Sequence, residues 1–516
     1  GAQSINVWLP HEAAYVPTLE SVETVNAVTG SFDAETGLAG GAAINVHTKS
    51  GTNDLHGVVF EHHSSNRLKA KPFFIPPGRE KPKLIYNEFG GALGGPIRKE
   101  KLFYFLSYEG TYDRENASLF TTVPTAAIKS GDMSGSSNPI YDPLTGDTTG
   151  ANRTALPNRI VPASRISRIT RALSDLTPLP NVPGGLLSNN YYATGSYIFD
   201  RQRLDAKVNW NAGQKLSMFG RFGFLRYNML NPQAFGEMGG PEISSAGGNP
   251  GHGWGDTYTT TIAGTYLFTP TFIVDAHTGW TSLRTNVDTP GIEEQKALKL
   301  GIPGTNGPKK YEGGWPRFGV TNYNDLGTPG AYLPYYRVDP SRQYVTNANW
   351  AKGSHDVRFG MEISRQHMNH IQAEGGSIGA GMGGFTFTGG PTTVRGGPSS
   401  NQFNSYAAFL LGLPTEVGKN TMVPENSTAT TRAWQYSSYV RDRWNVTPKL
   451  TVSLGVRWEH YPLPRRADQG LGFYDFDTNT VRVCGYGSVP NDCGVKIGKF
   501  RFLPRVGLAY RASNTF

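Results

Sequence analysis

The feature that most constrains this chain is a strict alternation of apolar and polar residues that recurs along most of its length. In the segment 450–459, every second residue from Leu450 to Trp458 is apolar, and the residues between them are polar or glycine. Successive side chains of a strand point to opposite faces, so each such segment predicts a strand with one apolar and one polar face. The same pattern recurs at 203–210, 216–224, 258–268, 272–280, 344–350, 357–363 and 434–444.

Short polar turns join these segments in pairs, and a long connection follows each pair. Turns such as Asn211–Gln214 and Lys352–His355 contain the Gly and Asn residues that supply turn dihedrals. Long connections are typical of functional or unstructured segments and are uncommon in compact domains. Their regular alternation with tight turns is typical of an outer-membrane β-barrel. The long connections lie near 230–256, 286–340, 370–430 and 462–500, and another follows Asp113.

A soluble β-sandwich or a propeller would also show alternation, because a half-buried sheet has one apolar face in either setting. A propeller should repeat every 40–50 residues or so, and no such period is present. Composition agrees with strands and loops: 64 glycines and 35 prolines disfavour helices, and 12% aromatic residues disfavour disorder. The net charge of +9 is spread along the chain without a run of Lys or Arg, so no nucleic-acid partner is expected.

Two local features lie in the long connections. Cys484 and Cys493 flank a turn-rich stretch without nearby histidines, which predicts a disulfide in an oxidising compartment and not a zinc site. The segment Pro162–Leu176 has apolar residues at helical spacing, with Ser164 as a candidate cap. We interpret it as a short helix that packs its own loop together.

Residues 20–113 resemble a known family. The runs Glu20–Val25, Phe32–Gly37 and Gly40–Gly57 resemble the end of the plug in TonB-dependent outer-membrane receptors, in particular their Oar-like branch. Further runs resemble the first barrel strands and the long loop of that branch, namely Phe60-Glu61, Asn87–Ile97, Lys101–Gly110, Val123–Asp132, Ile140–Gly146 and Pro157–Ile166.

The resemblance implies an all-β fold: a partial transmembrane antiparallel barrel, about twelve strands of a larger one, with the C-terminal part of a plug. Residues 1–52 would be that part of the plug. Residues 53–516 would be the N-terminal part of the barrel, with long extracellular loops. We therefore expect the chain to be a piece of a longer protein, without its TonB box, its N-terminal extension and its later strands.

The candidate functional residues follow from this division. Glycines of the plug would allow its backbone to approach the barrel wall closely. The charged residues of the plug, Glu20, Glu23, Asp33, Glu35 and Lys49, would find partners among the inward Arg and Asp side chains. The polar face of each strand would point into the lumen, where its charges would pair with each other, hold the plug or line the path of a solute. The plug candidates are Gly37, Gly40, Gly41, Asn45 and Lys49, and the lumen-facing candidates are Arg203, Asp205, Lys207, Arg358, Glu362, Arg441, Arg443, Arg457 and Glu459.

The implied function is transport across the outer membrane of a Gram-negative-type bacterium. Extracellular loops would capture an unknown ligand, and a TonB-type complex would pull the plug. The expected surroundings are outer-membrane lipid. An adhesion or surface-interaction protein that uses the long loops is the alternative, and a secreted soluble β-protein is a third hypothesis. No cofactor, metal or catalytic role is expected, because Gly90–Gly95 lacks phosphate-loop spacing and no nucleophile elbow or HExxH motif is present.

Overall fold

The computed structural model describes residues 3–513 except 5, 8, 10–11, 31, 38–40, 72, 74–80, 245–248, 330–332, 373–380, 420–428 and 467–471. Strands dominate the described part of the chain. They are β1 (Val22–Thr29), β2 (Ala42–Thr48), β3 (His56–Ser65), β4 (Leu84–Arg98), β5 (Leu102–Thr121), β6 (Tyr191–Asn211), β7 (Leu216–Asn231), β8 (Gly251–Thr269), β9 (Phe272–Asp288), β10 (Arg317–Val320), β11 (Tyr335–Lys352), β12 (His355–Gln372), β13 (Gly384–Phe387), β14 (Glu416–Gly418), β15 (Ala429–Thr447), β16 (Leu450–His460), β17 (Arg465–Arg466), β18 (Gly472–Asp475), β19 (Thr480–Val483) and β20 (Arg501–Tyr510).

The helices are short and lie in the long connections. Among the described residues, none of them has the length and apolarity that a membrane crossing requires. The α-helices are α1 (Ala126–Ser130), α2 (Arg168–Leu176), α3 (Lys296–Lys299) and α4 (Gln402–Leu410). Single 3-10 turns occur at Leu19–Ser21, Pro157–Arg159, Ala163–Arg165, Gly236–Met238, Lys310–Glu312 and Gly390–Thr392.

One antiparallel sheet organises the described chain. Its strands follow the order β3-β4-β5-β6-β7-β8-β9-β11-β12-β15-β16-β20, and β17 pairs with β15 beside this path. Tight turns join the two strands of each hairpin at one end of the sheet, and the long connections all leave from the other end. The predicted all-β architecture of about twelve antiparallel strands is therefore confirmed.

The two faces of this sheet differ in character. The outer face carries the predicted apolar residues: Val440 pairs with Val456, and Trp444 pairs with Val452, so the apolar sets of neighbouring strands share one side. Many of these side chains are exposed, including Val440 at 43% and Leu454 at 47%. The opposite, inner face carries buried polar residues such as Thr259 and Thr281. An exposed apolar face and a buried polar face are the reverse of a soluble sheet, and are typical of a barrel wall.

The largest apolar core of the described residues lies mostly outside this sheet, in the long connections. We call the described residues of 122–190, 232–250, 289–334 and 384–418 the loop cap. Its core combines residues from all four segments, including Met133, Met238, Phe318 and Leu410. The small sheet β10-β13-β14 and the four α-helices belong to the cap. The long connections thus form a folded unit, which their turn-rich composition did not predict.

The helix predicted over Pro162–Leu176 is shorter than expected and packs differently. The α-helix begins at Arg168, after a separate 3-10 turn, and the Ser164 cap is wrong. Its partner is α4, from a different long connection: the Ser174 and Tyr406 hydroxyls are 2.9 Å apart, and Thr170 Oγ1 donates to Leu410 O at 2.9 Å. A helix of this length needs tertiary packing to be stable, and the partner was too distant in sequence to predict.

Packing within the cap shifts the pKa values of some of its side chains. Burial raises the pKa of the Tyr406 hydroxyl above its ordinary value, since the phenolate would lose its hydration. Near the surface, the Arg165 guanidinium donates to Asp142 at 2.5 Å and holds the pKa of that carboxyl below its ordinary value. The cap therefore combines a buried, largely apolar centre with ion pairs nearer its surface.

A disulfide joins Cys484 and Cys493 in the long connection before β20. We expect both thiols to resist alkylation in the native protein unless it is first reduced. Closing this short loop should stabilise it by about 2–3 kcal/mol in the chain-entropy model. Mass spectrometry after alkylation, with and without reductant, measures this directly. Quantitative modification of both cysteines without reductant would contradict the pairing.

Candidate functional site

The candidate site is the contact between the N-terminal segment, defined as the described residues of 3–50, and the inner face of the sheet. Within this segment β1 and β2 pair only with each other, in a two-stranded sheet separate from the large one. Atoms of the segment form hydrogen bonds with strands from β5 to β20. Because one short segment touches so many strands from one side, the sheet curves around it.

The first anchor lies at the turn before β1. Asp205 accepts hydrogen bonds from Thr18 N at 2.8 Å and from Ser21 Oγ at 3.3 Å. Its other carboxylate oxygen accepts from Arg221 at 2.8 Å. Thr18 and Ser21 are fully buried. A buried carboxylate with these partners is satisfied on both oxygens, so it fixes the turn against β6.

Two further residues complete this anchor. Arg203 forms an ion pair with Glu109 of β5 and donates to Pro17 O at 3.3 Å. Tyr15 is only 4% exposed and packs where Gly223 has no side chain: a Cβ there would lie 2.7 Å from the Tyr15 ring. The glycine therefore makes room for the tyrosine.

The second anchor holds residues 32–37. Arg457 is 2% exposed; its Nη1 donates to Ala34 O at 3.4 Å and to Glu35 O at 3.2 Å. Its guanidinium forms ion pairs with Glu459 at 2.7 Å and with Glu362 at 3.7 Å. A Cβ on Gly37 would lie 2.2 Å from the Arg457 guanidinium, so any larger residue there would displace this guanidinium. Because Arg457 Nη2 also donates to Ser437 of β15 at 2.6 Å, this one cation joins β12, β15 and β16 to the segment.

Ion pairs surround this anchor. Arg441 donates to Asp33 at 2.8 Å, and Arg358 Nε lies 2.9 Å from a Glu35 oxygen. Arg505 of β20 donates to Phe32 O at 3.2 Å. Asp33 and Glu35 were expected to find partners among the inward arginines, and the structure places them so.

The remaining candidates have different surroundings. Lys207 donates to Thr48 O at 2.8 Å, close to the end of β2. Arg443 lies on the inner face near a short turn but is exposed, and no hydrogen bond or ion pair joins it to the described part of the segment. Lys49 pairs with Glu20 of its own segment at 3.5 Å. The expectation that Lys49 and Glu20 would bind charges of the wall was therefore wrong.

Of the two plug glycines that the structure describes, only Gly37 lies close to the wall. Gly37 approaches the wall as described, whereas no atom lies within 4 Å of a Cβ placed on Gly41. Gly40 lies outside the described residues. Asn45 pairs with Asn26 inside the two-stranded sheet and is exposed. The clustered small residues therefore do not mark close packing along the whole of β2.

Sequence reasoning missed four residues of the site: Tyr15, Glu109, Arg221 and Arg505. The last three lie at inward-facing positions of strands whose residues alternate between the two faces. Their place in that alternation could have identified them from the sequence. Nothing in the sequence around Tyr15 marks it as buried. Among the described residues, no group of three or more His, Cys, Asp or Glu side chains could hold a metal ion.

Comparisons with known proteins bear on this arrangement. The family model of the outer membrane beta barrel domain matches residues 47–516. The TonB-dependent transporter Oar of Myxococcus xanthus is 24% identical over 484 residues, which cover 86% of this chain and 40% of that protein. The chain therefore spans less than half the length of this relative.

Two solved structures match most of this chain. The siderophore receptor PirA from Acinetobacter baumannii matches with a TM-score of 0.42 and 12% identity, over 87% of this chain and 44% of its own. The outer membrane transporter YddB from Escherichia coli matches with a TM-score of 0.46 and 9% identity, over 89% of this chain and 46% of its own.

Proposed function

The chain belongs to the outer membrane beta-barrel domain family, and we propose that it forms the end of the plug and the first barrel strands of a TonB-dependent transporter. Its location is the outer membrane of a Gram-negative-type bacterium. The resemblance of residues 20–113 to TonB-dependent receptors of the Oar-like branch is confirmed by the similarity to Oar. In this proposal residues 1–52 belong to the plug and 53–516 to the barrel.

The observation that carries the proposal is the polar character of the contact between the N-terminal segment and the inner face. Its two anchors consist of ion pairs and hydrogen bonds, such as those of Asp205 and Arg457. Apolar burial in the contact is confined to a few side chains, including Tyr15 and Ala34. When the segment is withdrawn, these polar groups can exchange their protein partners for water. Such a segment can be held firmly at rest and still be withdrawn without exposing an apolar core.

In the proposed mechanism the loops bind a ligand outside, and pulling on the plug from the inner-membrane side breaks these anchors. The barrel itself carries out no reaction. The partners would be the TonB-type energy-coupling complex and a ligand of unknown chemistry. The inward charges freed by withdrawal, among them Arg203, Arg358 and Arg441, would then line the path of the ligand.

A single new cysteine tests whether the segment moves. Ala34 is fully buried beneath Arg457, so in the full-length protein an Ala34→Cys thiol should be shielded at rest. We expect a periplasmic maleimide to label it in energised cells and to label it several-fold more slowly after an uncoupler. Ser50→Cys, at an exposed position, is the matched control and should be labelled equally in both states. Equal labelling of Ala34→Cys with and without the proton gradient would contradict energy coupling.

The loop cap favours a second candidate function, surface binding by an adhesion protein. Its apolar core gives the outer rim a fixed shape, as a protein-binding face requires. An adhesion protein needs no movement of the plug. Unchanged labelling at position 34, together with binding of cells or matrix that is lost when the cap is disrupted, would favour this alternative.

A further inference from the structure

A small cavity opens on the loop cap, outside the contact between the N-terminal segment and the inner face. It measures about 240 Å³. Two segments of the cap form its walls: residues 147–153, in the connection after β5, and residues 390–395, between β13 and α4. We call this cavity the cap pocket. The side chains that line it are those of Thr148, Thr149, Arg153, Thr393, Val394 and Arg395.

Hydrogen bonds fix both walls of the cap pocket. In the first wall, Gly150 N donates to Asp147 O at 3.0 Å and closes a tight turn. In the second wall, Thr392 is fully buried and exchanges two hydrogen bonds with Asn404 of α4. The walls are also joined directly, because Arg395 N donates to Gly150 O at 2.9 Å. A site with fixed walls loses little conformational entropy when a ligand binds.

The guanidinium of Arg153 is held by one nitrogen and keeps the donors of the other two. Its Nη1 donates to the carbonyl oxygens of Gly390, Pro391 and Thr393 at 3.0, 2.9 and 2.6 Å. Its Nε is shielded from water and has no hydrogen-bond partner among the described residues. A shielded charged donor without an acceptor is costly. Because a guanidinium binds a carboxylate through two parallel N–H groups, Arg153 is suited to receive one.

Arg395 brings a second positive charge to the cap pocket. Its side chain is exposed, and no ion pair or hydrogen bond joins its guanidinium to any residue that the structure describes. The carboxylate of the first wall, Asp147, does not line the pocket. Its oxygens accept from Thr149 N at 2.9 Å and from Asn152 Nδ2 at 3.3 Å. Two guanidinium groups without an acidic lining residue favour an anionic ligand.

The hydroxyl groups of the pocket indicate what else the ligand carries. Thr149 Oγ1 donates to Asp147 at 2.6 Å, and Thr393 Oγ1 donates to Gly390 O at 3.0 Å. A hydroxyl that donates within the protein keeps its lone pairs, so both threonines can accept hydrogen bonds from a ligand. A matching ligand therefore has an anionic group for the arginines and hydroxyl donors for the threonines. The cavity is smaller than the roughly 300–1,000 Å³ of pockets for drug-sized ligands, which limits the ligand to one small unit.

We propose that the cap pocket binds one acidic sugar residue, with its carboxylate on Arg153 and Arg395 and its ring hydroxyls on the threonines. This site goes beyond the proposed transport function, because it shares no residue with the contact that holds the N-terminal segment. Binding therefore needs no movement of the plug. It would give the loop cap an affinity for acidic polysaccharides.

Saturation-transfer NMR of the full-length protein in detergent tests the proposal, with D-galacturonate as the probe. We expect saturable binding to the wild type and binding about tenfold weaker to R395Q, because a hydrogen bond to a charged group contributes at least this factor. D-galactose has a hydroxymethyl group in place of the carboxylate and should also bind about tenfold more weakly. Inorganic phosphate, which lacks the ring hydroxyls, should displace galacturonate only at higher concentration than galacturonate itself.

The matched control is R168Q. Arg168 is also an exposed arginine of the cap, at the start of α2, and it forms no ion pair with the described residues. Its replacement should leave galacturonate binding unchanged. R153K keeps the charge but loses the planar fork, so it should weaken binding as well.

Limited proteolysis of each variant reports whether the cap is folded. Equal affinity of the wild type and a folded R395Q for galacturonate would overturn the proposal. Equal binding of galactose and galacturonate would do so too, since the carboxylate would then play no part. Tighter binding of phosphate than of galacturonate, or no saturable binding of galacturonate by the wild type, would equally exclude an acidic sugar as the ligand.

Discussion

Replacing Arg457 by methionine is expected to release residues 32–37 from the inner face while the barrel stays folded. The guanidinium is almost fully buried and bonds Ala34 O, Glu35 O, Ser437 and Glu459 at once. Methionine replaces the aliphatic part of the arginine side chain but leaves Glu459 and Glu362 without their cation. Removing one partner of a buried ionic network costs about 3–5 kcal/mol. A loss of this size should weaken the hold on the segment by two or more orders of magnitude.

Hydrogen exchange of the full-length protein measures this effect. The Ala34 and Thr36 amides are bonded to Asp33 and should lose most of their protection in R457M. The graded control is R505M, which removes one hydrogen bond to Phe32 O and should cost about 0.5–1.5 kcal/mol. The opposite result is that the Ala34 and Thr36 amides exchange as slowly in R457M as in the wild type, and stay equally protected in Gly37→Ala. That result would show that Arg457 does not anchor the segment.

Replacing Phe409 by alanine is expected to unfold the loop cap without unfolding the sheet. Phe409 is fully buried and packs against Phe387 and Tyr406, with ring centres 5.1 Å and 5.2 Å away. Truncating a buried phenylalanine costs about 3–5 kcal/mol, from lost burial and from the cavity that remains. Most of the cap core lies outside the sheet, which contributes Ala193 of β6 and the flanking Ala117 and Leu119 of β5, so the hydrogen-bonded ladder of the sheet should persist.

Limited proteolysis of the folded protein tests this expectation. New cleavage sites should appear in 122–190 and 384–418, while gel mobility continues to report a folded barrel. Leu144→Ala is the matched control, because Leu144 lies in the same cap and is 82% exposed. A surface change of this kind should stay within about 0.5 kcal/mol of the wild type. Protease resistance of a folded Phe409→Ala protein would mean that the cap is held together by other contacts.

The class of fold and the order of the strands could be predicted because both depend on local patterns. Alternation along 450–459 gives the two faces of β16 from neighbouring residues alone, and the Gly353 turn predicts the β11–β12 hairpin. Asymmetric connection lengths then indicate the barrel. The inward orientation of Asp205 and Arg457 follows from the same alternation, because every second residue of a strand lies on the same face.

Only the tertiary structure decided which of these residues meet. The partners of Asp33 and Glu35 lie more than 300 residues away along the chain, and many inward arginines were equally available to them. The α2–α4 packing joins two long connections through Ser174 and Tyr406, which no local pattern relates. Folding of the loop cap brings Arg153 and Arg395 to one pocket, although each alone looks like an ordinary surface charge. Periodicity is a property of neighbours in sequence, whereas a charge cluster or an apolar core depends on distances in space that the sequence alone does not specify.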